Sequence, residues 1–201
     1  MYILIVIQYH NSIYYLYEKN TVMLKKALLI ISALLIIIGS YLYYSVYINP
    51  KSPKDTLSYT NNDLIINVDY SRPYKRDRLI FGSEKDNALV PFDQYWRLGA
   101  NAATTFMISK DVVFGGNKLS KGKYRMYAIP GNDSWVIALN SEFGKFGYYE
   151  PDYEKDILRV NIPSIKLLSP IDQLTIDVVE DEGFVGLRIR WDKTSVTIPI
   201  E

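Results

Sequence analysis

The sequence predicts an all-β domain, an antiparallel β-sandwich of which a jelly roll is one form, preceded by one N-terminal transmembrane helix. Three observations predict it. Ala27–Ile48 runs for 22 residues without a charge, about the length needed to cross a bilayer. Beyond it, apolar residues come in short runs that alternate with polar ones, the period of a half-buried strand. Turn-forming pairs then punctuate those runs at short intervals, as sandwiches and barrels require.

Taken in order, residues 1–22 are rich in Tyr and Ile, carry the chain's single histidine, His10, and show no clear period. Met23-Leu24-Lys25-Lys26 reads as an ordinary start for a signal anchor, so residues 1–22 are expected to be a gene-model extension or a cytoplasmic stub, and residues 23–48 the anchor. Tyr41, Tyr43, Tyr44 and Tyr47 close the apolar stretch, amphipathic rings that suit the headgroup level. A cleaved signal would have a shorter apolar run and a small-residue cleavage site; here bulky tyrosines follow Gly39-Ser40. The Lys25-Lys26 pair favours an N-inside orientation, diluted by Lys51 and Lys54. The expected location is the inner membrane, single-pass, with the C-terminal domain in the periplasm.

Residues 49–62 are polar with two prolines and read as a tether. The β-domain is expected over 63–201. Its first strand, Leu64–Tyr70, sets Leu64, Ile66, Val68 and Tyr70 on one face and Asn67 and Asp69 on the other. Further strands are predicted at 104–109, 111–114, 124–129, 134–140, 157–162, 174–179, 184–191 and 195–200, separated by Gly115-Gly116, Lys121-Gly122, Pro130-Gly131-Asn132-Asp133 and Glu182-Gly183. Trp135 and Trp191 alternate with apolar neighbours and are expected in the core.

Composition removes several function classes. Apart from Glu18, Lys19, Lys25 and Lys26, the remaining 20 basic and 21 acidic residues leave a net charge near −1, unlike the basic excess of a nucleic-acid binder. The chain has no cysteine, and its one histidine precedes the predicted span. Thiol nucleophiles, Ser-His-Asp triads and ordinary zinc sites are therefore not expected in the β-domain, and no cofactor is expected either. Asp152, Glu154 and Asp156 alternate as hard-cation ligands can, but lack the glycine and distal glutamate of a calcium loop and read as a solvated acidic loop.

The stretch Tyr70–Thr105 stands apart. Arginines and aromatics gather on backbone shaped by Pro73, Gly82, Pro91 and Gly99. Planar guanidinium forks suit carboxylates, phosphates or vicinal hydroxyls, and flat rings supply stacking faces. The candidate ligand-binding residues are Arg72, Arg97, Asn101, Tyr70, Trp96, Tyr95, Arg78 and Thr104. The bland reading has Arg72 and Arg97 pairing internally with acids such as Asp69 or Asp93.

The order Tyr70-Ser71-Arg72-Pro73, Arg78 with Ile80-Phe81-Gly82, Leu89-Val90-Pro91, Trp96-Arg97-x-Gly99-Ala100-Asn101 and Thr104 resembles the family called domain of unknown function 2911. The likeness continues through Gly122-x-Tyr124, Ile129-Pro130-Gly131, Trp135, Asn140, Asp156 with Leu158-Arg159-Val160, and Trp191-Asp192-Lys193-Thr194. It covers roughly 62–201 and implies an exported, β-rich bacterial envelope protein, without implying an activity. There are departures. Arg76-Asp77-Arg78 stands where members often have Lys-Gly-Arg, Ala102 where an acid commonly follows, and Phe146-Gly147 for Trp-Gly; Ser83–Ala88 lengthens a loop.

The leading expectation is a non-catalytic, membrane-anchored β-sandwich binding an envelope ligand, glycan or anionic, through that cluster. The alternatives are a structural or interaction protein of an envelope assembly with a protein partner and, more remotely, a carboxylate-based glycan hydrolase.

Overall fold

The computed structural model describes residues 2–181 and 184–201; Met1 and the expected Glu182-Gly183 turn lie outside the described residues. The chain forms two compact units, Met1–Pro50 and Lys51–Glu201.

The first unit is one helix, α1 (Tyr2–Tyr43), closed by a π-helical turn at Tyr44–Ile48. The helix runs without a break through the boundary expected at Met23. Its Glu18–Tyr43 portion is 26 residues long and apolar enough to cross a membrane. At 1.5 Å per residue it spans about 39 Å, more than the roughly 30 Å of a hydrocarbon core. Its side chains from Leu24 to Leu42 are largely exposed, the state of a helix whose apolar surface this chain does not itself cover.

The second unit is β-rich, as expected. Its strands are β1 (Lys54–Asn61), β2 (Leu64–Ser71), β3 (Phe81–Gly82), β4 (Val90–Pro91), β5 (Thr104–Ile108), β6 (Val112–Phe114), β7 (Asn117–Leu119), β8 (Gly122–Pro130), β9 (Ser134–Asn140), β10 (Asp156–Asp181) and β11 (Phe184–Ile200). Nine of them form an antiparallel sheet in the order β1-β2-β5-β8-β9-β10-β11-β6-β7, while β3 and β4 make a short parallel pair. The order is a meander with one interruption, where β6 and β7 leave β5 to join β11.

One strand turns this sheet into two layers. The first part of β10, Asp156–Pro163, pairs with β9; the rest, from Ser164, pairs with β11, with register shifts between Lys166 and Ile171 and between Ile171 and Thr175. Irregular register of this kind bends a strand. The fold brings β2 against the second half of β10: the Ile176 backbone N–H donates to the Tyr70 hydroxyl at 3.0 Å. Between the layers lie Ile66, Phe106, Trp135, Ile137, Leu187, Ile189 and Trp191, all with essentially no exposure. Each side chain of this kind contributes about 1.5–3 kcal/mol on burial. The strands predicted separately at 157–162 and 174–179 are thus one element, as are those at 184–191 and 195–200.

The tether is shorter than expected. Residues 54–61, read from sequence as linker, form β1 and pair with β2 residue by residue from Lys54–Ser71 to Asn61–Leu64. Only Leu57 and Tyr59 in β1 are large and apolar. An edge strand needs one half-buried face, and polar residues on the other protect it from pairing with other chains. Asn62, at φ 49°, turns the chain from β1 into β2, a left-handed position that Asn tolerates.

Candidate functional site

The loops before and after β3 and β4 enclose a cleft of about 480 Å³, within the usual size range for small-ligand sites. Its base is aromatic. Trp96 and Trp191 stack with centroids 5.9 Å apart and planes inclined by 17°, and Phe81 meets Trp96 edge-on at 5.5 Å. Trp96 is fixed by two backbone bonds with Ala128 of β8, at 2.8 and 2.9 Å. Trp135 and Trp191 are buried in this cluster, as expected.

One wall is the turn Arg97–Asn101. Leu98 and Asn101 adopt φ of 55° and 59°, and Gly99 a φ of 149°. Any Cβ at Gly99 would lie 2.7 Å from the Ser71 carbonyl oxygen, so only glycine fits there. The turn is tied down by the Thr104 hydroxyl, which donates to the Leu98 carbonyl at 2.8 Å, and by the Gly147 N–H, which donates to the Asn101 carbonyl at 3.0 Å. Non-glycine residues in the left-handed region cost free energy and persist where surrounding bonds impose them. Arg97 and Asn101 are held pointing from such a turn.

The facing wall is the Pro73–Arg78 loop. Arg76 takes φ 53°, so a left-handed turn is made here even though Arg76-Asp77-Arg78 has no glycine. Its N–H donates to the Asp172 carboxylate at 3.3 Å. Arg78 is braced from below, its Nε donating to the Lys75 carbonyl at 3.1 Å and a terminal nitrogen to the Tyr74 carbonyl.

The lining charges are one-sided. Lys51, Arg76, Arg78 and Arg97 all border the cleft, and no Asp or Glu does. Lys51, Arg76 and Arg97 make no side-chain hydrogen bond or ion pair among the described residues; the Arg97 guanidinium sits 5.6 Å from the Tyr148 ring centre. Guanidinium groups without a carboxylate partner beside buried indole rings have the chemistry to attract an anion: charge, planar donors and a low-dielectric base act together.

Four of the eight candidate residues, Arg78, Trp96, Arg97 and Asn101, therefore meet at one cleft. The other four sit elsewhere. Arg72 turns inward, donating to the Leu174 carbonyl at 2.9 Å and to the Thr175 hydroxyl at 3.0 Å, and pairing with Asp55 at 3.1 Å. Tyr70 is buried against Ile176. Thr104 is buried and supports the turn from behind. Tyr95 points to the other side of the sheet, where its hydroxyl donates to the Gly147 carbonyl at 2.9 Å and accepts from Arg125 at 2.5 Å. Burial pushes the Tyr95 phenol pKa above its ordinary value.

Sequence reading missed Lys51, Ser52 and Arg76 as lining residues. Lys51 had a signal, a cation directly after the span, but was read for topology alone. Arg76 sits in a motif that departs from the family pattern. Of the acids at 152, 154 and 156, Asp152 and Asp156 are spent internally. The Asp152 carboxylate accepts from the Glu154 N–H at 3.1 Å, and Asp156 accepts from Tyr127 at 2.6 Å, Asn140 at 2.8 Å and Arg159 at 2.6 Å. Among the described residues no cluster of His, Asp or Glu is arranged for a metal ion.

A family model described as "Protein of unknown function (DUF2911)" matches residues 52–200, from the cleft's Ser52 to the end of β11. Neither the curated proteins nor the solved structures give a match.

Proposed function

The chain belongs to the DUF2911 family, and from that premise we propose that it is a membrane-tethered binding module whose β-domain holds an anionic ligand in the cleft between Arg76, Arg78, Arg97 and Asn101. The helix is its single-pass signal anchor, and the domain works in the bacterial periplasm on an envelope ligand. The observation that carries this reading is the lining itself: four cations, three of them without a partner among the described residues, and no carboxylate. Such a surface is electrostatically unsatisfied until an anion arrives. Retaining cations at this density costs the free domain through mutual repulsion, which a ligand relieves.

A carboxylate-based hydrolase would need two acids facing the substrate, and this cleft has none. A structural role draws support from a different place, the exposed Phe143, Phe146, Tyr148 and Tyr149. The test is titration of the full chain in neutral detergent with inorganic phosphate, pyrophosphate, glucuronate and neutral sugars. Saturable anion binding that weakens with salt and disappears in Arg97→Gln supports the binding module. Equal binding of neutral sugars, or no binding, overturns it and leaves the structural role.

A further inference from the structure

We infer that the anion is the phosphate of a membrane lipid headgroup, taken from the bilayer that holds the helix; this rests on the anion-binding reading of the cleft. Four observations converge on it.

Lys51 lines the cleft, and only Asn49 and Pro50 separate it from Ile48, where the helical segment ends. Three peptide steps reach at most about 11 Å. Covalent connection alone thus keeps one of the cleft's cations within about 11 Å of Ile48, a distance comparable to twice the thickness of a headgroup layer, roughly 5–7 Å on each side. A ligand diffusing far from the membrane would not need its site's first cation there.

The second observation fixes where the interface falls. Tyr41, Tyr43, Tyr44 and Tyr47 are 69, 60, 51 and 71% exposed, and Tyr is enriched at headgroup depth. They mark the helical residues nearest the domain as interfacial, so Lys51 follows directly on that belt.

The third is the amphiphilic lining. Beside the cations the cleft carries Val90 and the half-exposed Leu89 at its rim. A free inorganic anion has no use for an apolar lip, whereas a glycerophosphate brings methylene groups attached to its charge. Tyr148, 66% exposed, stands beside Arg97 and supplies a further amphipathic ring of interfacial type.

The fourth is charge selectivity. A zwitterionic headgroup carries a cation of its own, which Lys51, Arg76, Arg78 and Arg97 would repel. A net-negative phosphodiester such as phosphatidylglycerol fits the one-sided lining.

The experiment is native mass spectrometry of the full chain released from neutral detergent micelles. Dioleoyl phosphatidylglycerol and dioleoyl phosphatidylcholine are added in equal amounts, and glycerol 1-phosphate is titrated separately. Wild type is compared with Arg97→Gln, Arg76→Gln and a control, Lys166→Gln, on the exposed bend of β10. The expected result is at least tenfold preference for phosphatidylglycerol, reduced at least tenfold by either arginine variant and unchanged by the control. Phosphatidylglycerol retention that ignores both arginine variants would assign the lipid to the helix and overturn the inference. Glycerol 1-phosphate bound through Arg97, with no lipid retained, would also overturn it while leaving the anion cleft standing. Binding of neither ligand would remove both readings.

Discussion

Arg72 and Asp55 form an ion pair at 3.1 Å that joins the end of β2 to the edge strand β1, and the same guanidinium reaches across to Leu174 and Thr175 of β10. One side chain thereby ties together three strands, two of which belong to opposite layers. Arg97, 25 positions later in the same cluster of arginines, makes no such bond among the described residues. Two arginines that look equivalent in sequence are a clasp and a free cation.

The clasp predicts a stability effect. Arg72→Ala removes two hydrogen bonds from a charged donor and leaves the carbonyl of the buried Leu174 without that partner. The ion pair itself adds little, because both partners are partly exposed. Together the loss is about 2 kcal/mol, or roughly 5 °C in the thermal midpoint of a domain this size. Differential scanning calorimetry of the full chain checks it, and anion binding per folded molecule should be unchanged.

Arg97→Ala predicts the reverse. Among the described residues its guanidinium meets only the Tyr148 ring, an exposed cation–π pair of about 0.5–1 kcal/mol, while its stem lies against Gly147. The thermal midpoint should move by no more than about 3 °C, while anion affinity falls at least tenfold in the same titration that defines the site. A variant that unfolds instead would place Arg97 in the scaffold.

Much of the domain was legible because burial leaves a period. Leu64, Ile66, Val68 and Tyr70 face inward as their alternation requires, and Gly115 and Gly116, both at positive φ, turn β6 into β7 as expected. Strand β1 was not legible. An edge strand buries so little that Leu57 and Tyr59 are its whole apolar signal, and its register is imposed by β2. The union of two predicted strands into β10 was hidden for another reason: prolines at 163 and 170 interrupt the apolar pattern, and only the tertiary pairing accommodates them, Pro163 where the strand exchanges β9 for β11 and Pro170 within the register shift between Lys166 and Ile171. At the site, residue type announced an arginine-rich surface, but which arginines face a cleft depends on contacts 20 to 100 residues away, such as Arg72 with Thr175. No local pattern carries that information.

Gly99 offers a test that separates strain from simple flexibility. At φ 149° an added Cβ meets the Ser71 carbonyl oxygen at 2.7 Å, whereas at Gly116, φ 81°, it meets open space. Gly116→Ala should cost about 1–2 kcal/mol, the usual penalty for a left-handed residue. Gly99→Ala adds a backbone clash and should cost roughly 3 kcal/mol, and because it displaces the Arg97–Asn101 turn it should also weaken anion binding. Urea denaturation of both variants gives the comparison; equal losses would mean the turn yields without strain.

Acid should loosen the loop that follows β9. The Glu142 carboxylate accepts from Lys145 and Lys155, each at 2.8 Å, and from the Asp152 N–H at 3.3 Å, and these bonds hold its pKa down at about 2 against an ordinary value of 4.5. Between those values the unfolded chain carries a proton on Glu142 that the folded chain does not, so folding loses ground as the pH is lowered. The contribution is complete above about pH 4.5 and gone below about pH 2. Both lysines are more than half or half exposed, so salt screens them and 0.5 M NaCl should shrink the effect. Urea midpoints measured from pH 6 to pH 2.5 should fall more steeply for wild type than for Glu142→Gln. Parallel slopes for the two proteins would show that these bonds do not distinguish the folded from the unfolded chain.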